Sequence, residues 1–140
     1  MSETPPAITE LEQKRLDKIQ AEQEEQARLD ELIPTPVGWS VLVAIPDPEE
    51  AYSSGIIKSA ETQRVEQILS SIGLVIDMGP QAYDSKEKYG EQPWCEVGQY
   101  VMFRPNSGTR FRMGKREYRL LNDDSIEAIV PDPSIIKDAR

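Results

Sequence analysis

The residues that could do chemistry are few, and several familiar chemistries are missing. The 140-residue chain has no histidine, which removes imidazole bases, His-based triads and the commonest metal ligand. Its one cysteine, Cys95, stands beside Trp94 with no second thiol to pair with and no imidazole to activate it. A lone thiol fits a reducing compartment such as the cytoplasm. The carboxylate pairs Glu49-Glu50 and Asp123-Asp124 lie in turn-like sequence, where Asp and Asn serve backbone geometry. No phosphate-binding glycine loop or calcium-loop spacing occurs. These residues predict no enzyme, no catalytic residue, no metal and no cofactor. They point to binding or assembly.

Two segments could carry binding. Between 104 and 119, six bases stand against Glu117 alone: Arg104, Arg110, Arg112, Lys115, Arg116 and Arg119. Phe103, Phe111 and Tyr118 are interleaved, the composition of a nucleic-acid platform. Strand alternation argues against that use, since it places Phe111 and Met113 on one face and Arg110 and Arg112 on the other. The aromatics are then core and the arginines an outer face. In a chain of net charge −9 that face meets acidic groups on a neighbouring subunit, or is plain surface, and no nucleic acid is expected. The second segment is Ser54-Gly55-Ile56-Ile57-Lys58. Its two β-branched residues sit in polar surroundings, so they either complete a strand or await a partner.

The elements around these segments divide the chain. Residues 1–34 hold nine acids, four bases and no aromatics. Thr9-x-x-Glu12 reads as a capping box, and composition favours helix from about Glu10 to Leu32. Glu10–Lys14 and Glu24–Arg28 have the favourable i,i+4 order. The apolar positions keep no heptad, so this arm is either a solvated helix or a segment that docks on a partner. Pro34 and Pro36 end it.

From Gly38 onward the pattern is β. Trp39–Ile45 alternates with a second face that is half apolar. Further strands read as Leu74–Met78, Tyr100–Phe103, Thr109–Met113, Arg116–Leu121 and Ser125–Val130, each bounded by Gly, Pro, Asn or Asp. Six short strands at close spacing predict an all-β fold, a small antiparallel barrel or sandwich. Val65, Ile68, Leu69 and Ile72 have helical spacing, while Ile68–Met78 fits one long strand equally well. Residues 79–98 read as a long excursion carrying Tyr83, Tyr89 and Trp94. No apolar run approaches the ~20 residues of a membrane span, which predicts a soluble chain, and no secretory signal is visible at the N-terminus.

The order of these parts resembles the GroES-type co-chaperonins, over about residues 37–132. The matching pieces are Val41-Leu-Val-Ala-Ile45, Gly55-Ile-Ile57, Gly73-Leu-Val-Ile-Asp-Met-Gly79, Val97-Gly-Gln-Tyr-Val-Met-Phe103, Tyr118-Arg-Leu-Leu121 and Asp124-Ser-Ile-Glu-Ala-Ile-Val130. Arg104-Pro-Asn-Ser-Gly-Thr-Arg-Phe111 and Arg119-Leu-Leu-Asn-Asp-Asp124 look more like the divergent GroES-like proteins of tailed bacteriophages. Lys58 stands where the family's loop has a third apolar residue, and the N-terminal arm has no usual counterpart.

The resemblance implies a GroES-like β-barrel at 35–133, with a mobile loop at 49–73 and an excursion at 79–98. An arm at 1–34 precedes it and a tail at 134–140 follows. It implies a homo-oligomeric ring that caps a chaperonin, with Gly55, Ile56, Ile57 and Lys58 binding that partner. Neighbouring subunits would meet through the first and last strands, at Val41, Val43, Ile126, Ala128 and Ile129. The alternative is a structural protein of a phage virion, binding capsid or tail subunits. Zinc alcohol dehydrogenases share this barrel type, but their metal site cannot be built without histidine and with one cysteine.

Overall fold

The computed structural model describes residues 9–46 and 70–136. It divides into two units, residues 1–33 and residues 34–140.

The first unit contains helix α1, Glu10–Asp30. Thr9 caps it, its Oγ1 accepting from the Glu12 N–H at 3.1 Å. Side-chain bonds one turn apart then line the helix, Gln13 to Asp17 at 2.9 Å and Gln26 to Asp30 at 3.0 Å. Arg28 pairs with Glu25 at 2.6 Å rather than with Glu24, because both spacings place an acid within its reach. No residue of α1 is buried, so capping and local pairs hold it, not an apolar stripe.

The second unit is a six-stranded antiparallel sheet: β1 Ser40–Ile45, β2 Ile72–Met78, β3 Tyr100–Met102, β4 Thr109–Met113, β5 Arg116–Asn122 and β6 Ala128–Val130. Its order is β4-β5-β1-β2-β3-β6. The antiparallel all-β expectation holds, but closure does not. Among the described residues, β4 and β6 remain the outer strands and do not pair with each other.

β1 is central, flanked by β5 and β2. Its side chains are buried on both faces, at Val41 and Val43 on one and Leu42 on the other, which is why neither face reads as polar. Val41 and Val43 join the main core with Val75, Val101, Phe103, Leu121 and Ile126. Leu42, between them, is buried on the opposite face. β4 and β5 meet at Gly114-Lys115, where Gly114 has φ +64. Positive φ at the first of two turn residues suits the twist of a tight hairpin, and glycine supplies it without strain.

One assignment of faces needs correction. Residues directly opposed across a ladder share a face. Arg119 stands opposite both Val43 and Arg110, and Leu121 stands opposite Val41. The arginine face of the hairpin therefore continues the main core face and is not an outer one. Arg110 and Arg112 reach solvent from its rim, whereas Arg119 lies wholly inside. Phe111 turns the other way and stacks on Tyr118, ring centroids 5.5 Å apart.

β2 starts at Ile72, so that residue is strand; residues 65–69, part of the helix-or-strand ambiguity, lie outside the described residues.

Candidate functional site

Gly55, Ile56, Ile57 and Lys58 lie outside the described residues. What the fold supplies is their frame. The segment leaves after Ile45 and returns at Ile72, on adjacent central strands whose ladder runs to the pair Ala44–Leu74. Ile45 is fixed on its other side by Glu117 of β5. At the returning end, the Ser71 carbonyl accepts from the Phe103 N–H at 2.9 Å. Both ends of the segment are thus held side by side in the best-paired part of the sheet.

The residues assigned to subunit contact fall into two groups. Val41, Val43 and Ile126 are buried in the core of a single chain, and both edges of β1 are already paired. Ala128 and Ile129 are exposed on β6, which among the described residues pairs with β3 alone. Ile129 stands opposite Val101, which is fully buried in the main core. The apolar core face therefore runs out to the sheet edge, where Ile129 is 43% exposed. It is the kind of edge that a neighbouring chain covers.

The excursion at 79–98 is folded down, not free. It contains a one-turn helix α2, Lys86–Tyr89, and three rings in contact. Tyr89 meets Tyr83 edge-on at 4.9 Å and Trp94 at 4.8 Å. Asp123 anchors all of this. Its carboxylate accepts from the Tyr83 N–H at 3.1 Å and from the Tyr89 hydroxyl at 2.6 Å. Its backbone carbonyl accepts from the Tyr83 hydroxyl at 2.7 Å, and its N–H donates to the Trp39 carbonyl at 3.0 Å. Lys88 adds an exposed ion pair with Asp124 at 2.7 Å.

Gly79 lets the excursion begin, because a Cβ there would collide with the Gly38 and Val37 backbone. By sequence alone, Asp123 reads as a turn residue. The signal for its second role was the pair of tyrosines in the excursion, which need acceptors if they are to be buried.

Burial dominates the electrostatics here. It raises the ionisation of Tyr83 well above the ordinary tyrosine range, reinforced by the adjacent Cys95 thiol, 3.5 Å away, and by Asp123. Tyr89 is raised first by burial and then by its bond to Asp123. The Cys95 thiol is likewise pushed up by burial, against a smaller opposing effect of its Tyr83 bond. A thiol held protonated in a closed pocket is a packing residue.

The described part of this unit is a small antiparallel β domain with a long segment between its two central strands. Residues 34–130 match the chaperonin 10 Kd subunit family. The chain belongs to that family, one of non-enzymatic co-chaperonins. A curated relative is the co-chaperonin GroES of Staphylococcus epidermidis, 27% identical over 99 residues, an alignment covering 68% of this chain and 96% of that one. The matched span begins where α1 and its acidic surroundings end.

Proposed function

We propose that the protein forms a ring and caps a chaperonin cavity, assisting protein folding without ATP chemistry of its own. Ile56 and Ile57 anchor it in apolar grooves of the chaperonin. The observation that carries this reading is the placement of segment 46–71 within the family-matched region, both ends clamped on neighbouring central strands.

Each segment contributes one weak apolar contact. Several on one ring multiply through effective concentration, and the ordering cost keeps each contact reversible. The partners are other copies of this chain and a chaperonin, in a reducing cytoplasm. Ala128 and Ile129 form the edge that meets the next subunit.

The test is co-sedimentation of the full chain with a purified chaperonin, with and without adenine nucleotide. Nucleotide-dependent capture at a stoichiometry of one ring per chaperonin ring is the expected result. No capture under any nucleotide condition would refute the reading.

A further inference from the structure

Charge is distributed unevenly along α1. Residues 10–19 hold three acids and three bases, whereas residues 20–31, up to the C-cap Glu31, hold five acids against Arg28 alone. No residue of α1 is buried, and Leu11, Leu16 and Ile19 stay exposed. Such a helix gains nothing from burial within its own chain, so a surface that covers it must come from another molecule.

The sheet unit carries the opposite charge along one edge. β4 and its turn into β5 expose Arg110, Arg112, Lys115 and Arg116. Glu117 is the acid among residues 109–117, and Arg110 engages it at 3.4 Å. Among the described residues β4 pairs with β5 alone, which leaves its outer side open. The two charged stretches also match in length. Twelve residues of helix rise about 18 Å, and the five residues of β4 extend about 17 Å.

We propose that the acidic second half of α1 docks on the basic β4–β5 hairpin of a second copy of this chain. Nucleic acid fits that hairpin less well, because each chain that brings the basic edge also brings a net charge of −9. Exposed ion pairs are individually weak and screened by salt, so this contact adds to the β6 edge and does not replace it. Repeated between several copies, such contacts reinforce one another. The inference shares self-association with the co-chaperonin reading but does not need a chaperonin.

The experiment mixes an excess of isotope-labelled wild-type chain with unlabelled Gln23→Cys chain carrying benzophenone on the new thiol, the native Cys95 being buried. After subunit exchange and irradiation, mass spectrometry assigns each crosslink to a copy by its isotope. Crosslinks should run from position 23 into residues 104–116 of the labelled copy. Their yield should fall about tenfold from about 0.1 M to about 1 M salt, as the screening length shrinks from ~10 to ~3 Å. Arg110→Glu with Arg112→Glu in the labelled chain should remove them, and Glu24→Arg with Glu31→Arg in the probe chain should restore them. If the hairpin variant fails to fold, the arm variant against wild type still decides, since α1 has no buried residue to lose. Crosslinks confined to the probe's own isotope, crosslinks elsewhere in the sheet unit, or none in a chain that light scattering shows to be oligomeric overturn the docking alone. No crosslinks in a chain that scatters as monomer overturns the docking and the ring together.

Discussion

Asp123 ties the excursion to the sheet unit, and its two carboxylate oxygens serve different donors. Asp123→Ala leaves the buried Tyr83 N–H without its acceptor, at about 1–3 kcal/mol, and also releases the half-buried Tyr89 hydroxyl. The midpoint should fall by well over 5 °C, read by calorimetry. Lys88→Ala removes only an exposed ion pair and should move the midpoint far less. If the two variants are equally destabilised, the carboxylate is not the anchor of the excursion.

The same cluster sets the alkaline limit. Tyr83, Tyr89 and Cys95 all have their proton affinities raised in the folded chain. The folded state therefore holds more protons than the unfolded one once pH passes the thiol's ordinary value of 9.0. Their contribution is complete below that pH and is lost as pH rises through the folded values. The unfolding midpoint should be level from pH 7 to about 9 and fall steadily above it. In Tyr83→Phe that fall should be shallower. For the same reason the Cys95 thiol should react with a thiol reagent only at the rate of unfolding.

At the scale of elements, α1 contributes no buried residue. Deleting residues 1–33 should shift the midpoint of the sheet domain by less than the roughly 4–8 °C that 1 kcal/mol produces in a domain of about 100 residues. A larger fall in calorimetry would show that the arm belongs to the core.

The strands were legible because turn residues bracket each apolar run, and β4 lies at Thr109–Met113 as the pattern predicts. The capping of α1 by Thr9 was legible for the same local reason. What escaped was long-range. Alternation gave the two faces of the 109–121 hairpin but not which one meets β1, and that pairing buries Arg119 opposite Val43. The clue was present in spacing, since Arg119 and the core residue Leu121 are two positions apart. Val41 and Val43 carried no mark that both edges of their strand would be used within one chain. Asp123 is joined to Tyr83 across 40 residues of sequence, a distance over which periodicity says nothing.

For the molecule as a whole, the account rests on an assembly that presents several loops at once. Ile129→Glu places a charge on the exposed edge of β6 without entering the core. Light scattering should then report monomer, with the far-ultraviolet dichroism of the sheet retained. An oligomer that survives this change would locate the subunit contact elsewhere. The central claim, that Ile56 and Ile57 grip a chaperonin, is tested most directly by measuring chaperonin capture of Ile57→Asp beside wild type and Lys58→Leu. Removing one buried isoleucine forfeits roughly 1.5–3 kcal/mol per loop and compounds around a ring. The account predicts that Ile57→Asp keeps the wild-type oligomer and unfolding midpoint yet loses capture, while Lys58→Leu binds more tightly. Unchanged capture in both variants, or unfolding of the sheet domain by Ile57→Asp, would contradict it.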